Sequence, residues 1–227
     1  MTTYDSTTVL SIESSGKRIK LALSFGGDRL VKLDEKVNRS HGQVIIRKIE
    51  HLLISSNVSK ADIGAIVVGV GPGSFTGLRI GLAVAKGIAT ALSIPIVGVS
   101  HMEVAEQKVG SEFDHVMVVL PFKSDSVFIV PMVDGQIDIT KVSAISLEGL
   151  AGFVQSMPVS AVGFDPESST TQAFAKAGIR LIDFDAADLV TIGRMKLNGG
   201  RADDIASLEP MYLQKSQAEI MFDERNR

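Results

Sequence analysis

The chain has 227 residues, 45% hydrophobic and 22% charged, with 23 basic against 26 acidic side chains and a formal net charge of −3. That length and composition suit one large globular domain or two small lobes, without the bulk basicity that would demand nucleic acid as a direct partner. There is no cysteine, which excludes disulfide scaffolds and thiolate zinc sites.

The opening MTTYDSTTVLSIESSG has no basic leading region and no long apolar core, so no secretory leader is expected. Later apolar stretches are broken by Gly, Pro or Lys86 before the ~18 residues that a bilayer span needs. The expectation is a soluble, cytoplasmic protein with no membrane partner. Thr8 to Glu13 reads as a buried strand, SSGK at 14–17 as a turn, Arg18 to Phe25 as an alternating strand, and GG at 26–27 as a turn into a third strand, Arg29 to Leu33. Val37, His41, Val44, Ile45, Ile49, Leu52 and Leu53 then recur at helical spacing. Ala65 to Val70 is apolar on both faces, as a covered central strand is. A glycine-rich loop leads into a helix from about Thr76 to Leu92, and SIPIVGVS at 93–100 reads as a further strand.

An antiparallel meander followed by β-α-β crossovers predicts an α/β fold. Its plan is ribonuclease-H-like, the mixed five-stranded sheet that actin-like proteins duplicate into two lobes. The second half carries a weaker version of the pattern. Val116 to Leu120, Ser126 to Met132 and Gln136 to Val142 repeat the meander. The helix Leu147 to Gln155, the strand Ala161 to Phe164 and the helices Thr171 to Ala177 and Ala186 to Lys196 repeat the crossovers. The expected division is an N-terminal lobe over 1–108 and a C-terminal lobe over 109–196. A polar loop and terminal segment over 197–227 would then return to the first lobe.

The loop GVGPGSFTGLRIG at 69–81 poses the functional question. No Gly-Lys-Ser/Thr follows the strand, so it is not a Walker phosphate loop. Both frames of the dinucleotide fingerprint fail, with Thr76 or Ser74 standing where the third glycine belongs. What remains is a helix N-terminus able to hold some anion, or a sharp strand-to-helix turn. Gly77, Gly81, Ala85 and Ala89 lie four apart in one row beside Leu78 and Leu82. Such a row leaves a groove for the ridge of another helix, either inside its own domain or from a second chain. Arg79 sits in the first turn, where the helix dipole disfavours a cation. It is either tolerated at the surface or reserved for a partner's carboxylate or phosphate.

The stretch GVGPGSFTGLRIGLAVAKGIA resembles the signature of the bacterial TsaB (YeaZ) family. VLSIESS, NRSHGQVIIRKIEHLL, SIPIVGVS and LEPMYLQKSQAE resemble other family segments in the same order, most strongly over 8–108. The resemblance implies a two-lobed actin-like fold and a subunit without chemistry of its own. That subunit pairs with a catalytic paralogue, TsaD, which modifies the tRNA adenosine beside the anticodon with a threonylcarbamoyl group. A small ATPase, TsaE, joins the pair, and tRNA is met only through the complex. TsaB alone forms a homodimer through the same face. The implied interface residues are Gly73, Ser74, Phe75, Thr76, Gly77, Leu78, Arg79, Gly81, Leu82 and Ala85, with His41 and Ile45 on the first helix.

The catalytic paralogue carries His-x-x-x-His on that helix. Here the partner position of His41 is Ile45, so no metal site is expected. In IESSGK, Glu13 stands in the place of a nucleotide-binding aspartate. Ser14, Ser15 and Lys17 are candidate anion contacts, against the plain reading of a hairpin turn. No cofactor is expected, ATP entering only within the complex. LPFKSDSVFIV at 120–130 departs from the family's Asp-Ala-Arg element. The alternative readings are a small nucleotide-binding kinase or ATPase of the same fold, and an endopeptidase. The first lacks a second phosphate turn and the second lacks a base for Ser74.

Overall fold

The computed structural model describes residues 3–37, 41–110, 114–122, 125–162 and 169–213. The first sheet begins with β1 (Thr8–Glu13), β2 (Arg18–Phe25) and β3 (Arg29–Lys36), an antiparallel meander. After α1 (His41–Ser55), β4 (Ile63–Gly71) pairs parallel with β1. After α2 (Phe75–Leu92), β5 (Ile96–Ser100) pairs parallel with β4. The strand order is β3-β2-β1-β4-β5.

The second sheet repeats this plan. β6 (His115–Pro121) and β7 (Ser126–Val133) form its hairpin. β10 (Val159–Val162) and β11 (Arg180–Ile182) extend it in parallel, preceded by α4 (Leu147–Ser156) and α5 (Ser169–Lys176). The third strand of the repeat differs from expectation. A single strand over Gln136 to Val142 is replaced by β8 (Gln136–Ile137), a 3-10 turn at Ile139–Lys141 and β9 (Ser143–Ser146), both strands pairing with β7. Asp138 caps the 3-10 turn by accepting from the amide of Thr140, and this local bond competes with the ladder. The strand expected over Ala161 to Phe164 is found as β10, already begun at Val159, and the part of it over residues 163–164 lies outside the described residues, as do residues 165–168.

Two helices tie the lobes together. α3 (His101–Val109), which the sequence reading missed, follows β5. Its start is fixed by a capping box in which Ser100 accepts from the amide of Glu103 and Glu103 accepts from that of Ser100. It packs on β4 and β5 of the first sheet and on β8 and β10 of the second. α6 (Ala186–Asn198), expected among the second lobe's crossovers, lies instead on the first sheet. Strand alternation explains why that sheet needs a cover on each face. Leu10, Ile12, Leu21, Leu23, Ile66 and Val68 point toward α1 and α2. Val9, Ala22, Ala65, Val67, Val97 and Val99 point toward α3 and α6, in one core shared with Val118, Leu120 and Val130 of the second sheet. Ser11, a buried polar residue on that face, donates to the carbonyl of Ala186 at 2.7 Å. The outer face of the second sheet buries Met117, Val119, Val127 and Ile129 beneath α4 and α5.

α2 is long and apolar enough by composition to span a bilayer, contrary to the expectation that no stretch would reach that length. It carries Arg79 and Lys86 and lies against β4. Residues 201–213 run back along the first lobe. Asp203 bridges to Ile96, and the amide of Met211 donates to the carbonyl of Val70 at 2.8 Å.

α6 approaches the sheet closely only because Gly193 has no side chain, since a Cβ there would stand 2.4 Å from a methyl of Val67. Gly193→Ala should therefore destabilise the protein by about 1–3 kcal/mol, although alanine is the better helix former by roughly 1 kcal/mol. The urea midpoint of the purified variant measures the sign.

Candidate functional site

Two features of the first lobe bear on function. One is the buried cluster where the β1–β2 turn meets the start of α2. The other is the outward face of α1 and α2.

The turn after β1 is driven into α2. The hydroxyl of Ser14 donates to the carbonyl of Gly77 at 2.8 Å, and the carbonyl of Ser15 accepts from the amide of Ser74 at 2.7 Å. Ser14 is 2% exposed and Ser15 6%. A Cβ on Gly77 would lie 2.1 Å from the carbonyl oxygen of Ser14, and one on Gly81 would lie 2.2 Å from its hydroxyl. The glycine row is therefore a seat for this turn. Ser74 caps the helix, its side chain accepting from the amide of Gly77.

Behind the turn lies Glu13, 3% exposed, bent over Gly69, where a Cβ would stand 1.8 Å from Oε2. Its Oε1 accepts from the amide of Ser15 at 2.5 Å, and its Oε2 lies 3.4 Å from Nε2 of His101. The same Nε2 lies 3.3 Å from the Ser15 hydroxyl, and the ring tilts against Phe184 with centroids 4.3 Å apart. Burial alone would raise the Glu13 carboxyl, but hydrogen bonding and charge interaction with His101, joined by Ser15, outweigh it and hold the group below the ordinary carboxylate value. Serine, histidine and glutamate thus meet, but not as a nucleophile relay. Such a relay uses the two ring nitrogens for different partners. Here both partners approach Nε2, while Nδ1 is buried without one. The histidine is 1% exposed.

These positions correct several expectations. Ser14 and Ser15 spend their groups inside the fold and do not face an anion, and only Lys17 of that set is exposed. Gly77, Leu78, Gly81, Leu82 and Ala85 are buried in their own lobe, and Ile45 is fully buried under α1, so none offers a free face to a second chain. The remaining expected contacts, Gly73, Ser74, Phe75, Thr76 and Arg79, are exposed. His41 opens α1, but its side chain lies outside the described residues. Among the described residues no cluster of three or more potential metal ligands occurs.

The surface that α2 does present is turned from the expected row. Thr76, Ala83, Gly87, Thr90 and Ala91 face outward, and nothing lies within 4 Å of where a Cβ on Gly87 would be. Beside this ridge α1 exposes Ile46 (52%) and Ile54 (71%). Between the helices runs an apolar groove of about 450 Å³, lined by Ile49, Leu53, Ile88 and Leu92 among others. The sequence held a signal for this face. Ile46 and Ile54 fall outside the buried stripe of α1, and a mid-helix glycine costs stability unless a close approach requires it.

Residues 33–127, which include α1 and α2, match the family described as TsaD, tRNA N6-adenosine threonylcarbamoyltransferase. Curated relatives named tRNA threonylcarbamoyladenosine biosynthesis protein TsaB include that of Escherichia coli, 37% identical over 92 residues, or 40% of this chain and 39% of the relative. That of Haemophilus influenzae is 30% identical over 100 residues, 44% of this chain and 42% of the relative. The matches thus span less than half of these relatives' lengths. YeaZ from Pseudomonas aeruginosa superposes over 91% of this chain and 99% of its own, with a TM-score of 0.67 at 22% identity. The two-lobed, actin-like and ribonuclease-H-like fold therefore extends over nearly the whole chain. The match to the TsaD family runs from within β3 of the first sheet to the start of β7 of the second.

Two variants test the cluster. Gly81→Leu should prevent folding, because its side chain would occupy the seat of Ser14, and the soluble yield and circular dichroism of the variant report it. Glu13→Gln should destabilise by about 1–3 kcal/mol at pH 7. Because the folded carboxyl titrates below its ordinary value of 4.5, its stabilisation is present above that pH. It is lost as pH falls through the lower folded value. The gap in melting temperature between wild type and variant should accordingly shrink only below about pH 4.5.

Proposed function

We propose that this chain is a TsaB-type, non-catalytic subunit of the cytoplasmic machinery that makes threonylcarbamoyladenosine in tRNA. In this reading it docks α1 and α2 against a TsaD-type threonylcarbamoyltransferase, which carries out the chemistry. The observation that carries the proposal is the open apolar face of these two helices, located in the stretch that matches the TsaD family, in a chain that is similar over part of its length to TsaB. A face with Ile46 and Ile54 at its rim and Gly87 on its ridge suits helix-on-helix packing. The glycine lets a partner backbone approach, and the groove accepts its side chains. A stable pairing of this kind buries about 1,200–2,000 Å². The same face would serve self-association when the partner is absent.

The buried cluster supports a role without chemistry. The hairpin hydroxyls that would meet a phosphate are bonded inside the fold, and Ser15, His101 and Glu13 are closed to a substrate. In the proposal the chain has no cofactor, and ATP, a TsaE-type ATPase and tRNA are encountered only within the assembly.

Size-exclusion chromatography with light scattering tests this on the chain alone and mixed with the TsaD-type protein of the same organism. The expected outcome is a heterocomplex that replaces the self-associated chain. Gly87→Leu should abolish both assemblies and leave the melting temperature within about 2 °C. Separate peaks for the two wild-type proteins, with the transferase active alone, would refute the reading.

A further inference from the structure

On the side of α2 away from α1, the returning segment 201–213 is strapped to the first lobe. Asp203 accepts from the amide of Gly98 at 2.8 Å. The Tyr212 hydroxyl accepts from Nε of Arg79 at 2.9 Å, and its ring stacks on Phe75 with centroids 4.9 Å apart. The Arg79 guanidinium lies 3.8 Å over Phe75. Between strap and helix opens a concavity of about 320 Å³. Leu82, Leu208 and Pro210 line it, with Arg79, Lys86 and Glu209 among its polar members.

Among the described residues Arg79 and Lys86 form no close ion pair, although Lys86 lies within charge reach of Asp204 on the strap. Lys86 donates to the carbonyl of Ala206 at 3.2 Å, and Arg79 meets the neutral Tyr212. Arg79 also sits where the helix dipole opposes it. Seven residues apart on one helix, the two cations are separated by about 10 Å along the axis. An extended polyanion fits poorly here, because its length would carry it onto Asp203, Asp204 and Glu209 of the strap and it offers nothing to the leucines and proline of the lining, whereas a short segment can place two carboxylates at the cations alone.

We propose that this concavity receives an acidic segment of the same TsaD-type partner, one apolar side chain resting against Leu208 and Pro210 between carboxylates that meet Arg79 and Lys86. The inference rests on the function proposed above. Ala83 connects the two surfaces, because it lines the concavity and stands on the open ridge of α2. A partner lying on the ridge would reach both.

The test is the dissociation constant of the full chain with the TsaD-type protein at about 50 and about 500 mM salt. Arg79→Gln with Lys86→Gln should weaken pairing at least tenfold at low salt and much less at high salt. Glu209→Lys should tighten it at low salt, which a purely structural role for the strap would not produce. If the double variant alters melting, Lys86→Gln alone should still show the salt-dependent loss. Tyr212→Phe, which keeps both cations, should retain the wild-type salt dependence. Wild-type pairing by the glutamine and Glu209→Lys variants, with Gly87→Leu still defective, would overturn this inference and leave the proposed function standing. No pairing by the wild-type chain would overturn both. Loss of tRNA retention by the complex with unchanged protein pairing would assign the cations to RNA and overturn the inference.

Discussion

The arrangement of the first lobe depends on one contact, the β1–β2 turn pressed into the start of α2. Ser14 reaches the helix only because residues 77 and 81 have no side chains. Its hydroxyl satisfies the Gly77 carbonyl, while the Ser15 carbonyl takes the amide of Ser74. These bonds set the rotation of α2 about its axis. Once Gly77, Gly81, Ala85 and Ala89 face inward, Ala83, Gly87 and Ala91 must face out, because helical geometry allows no other division. The seat of the turn and the open ridge are thus two consequences of one packing choice. The same packing commits the groups that another protein of this plan would have free for a phosphate.

Much of the architecture could be read from local pattern. β1 and β2 appear with the expected bounds, because alternation and glycine-bearing turns delimit them. The start of α2 follows from Ser74 as its cap, one residue earlier than expected. α3 escaped because His101, Glu103, Glu106 and Lys108 interrupt its apolar residues, and the capping box that starts it was the one available cue. β11 is short and partly exposed, so it leaves almost no period to detect. The placement of α6 cannot be read locally at all. Its pattern states that one face is buried but not which sheet buries it.

The candidate face shows the same boundary between local and tertiary information. Spacing identified a row of small residues, but a groove for a neighbouring element looks alike in sequence whether that element belongs to the same chain or another. The neighbour proved to be the chain's own hairpin. Gly87, the α2 glycine with open space where a Cβ would be, belongs to a different row. Tyr212 pairs with Phe75 across more than a hundred residues of sequence, so its role at the start of α2 depends wholly on the fold.

The covering of the first sheet by α6 has a consequence for synthesis. β1 and β4 leave the ribosome long before α6, yet Val9, Ala65 and Val67 are sealed by residues as late as Leu189 and Leu197. Until that helix emerges, an apolar surface of β-branched strands waits uncovered in the nascent chain. The lobe that is first in sequence is therefore completed late, and a truncated or stalled product would expose that surface to aggregation and to chaperones.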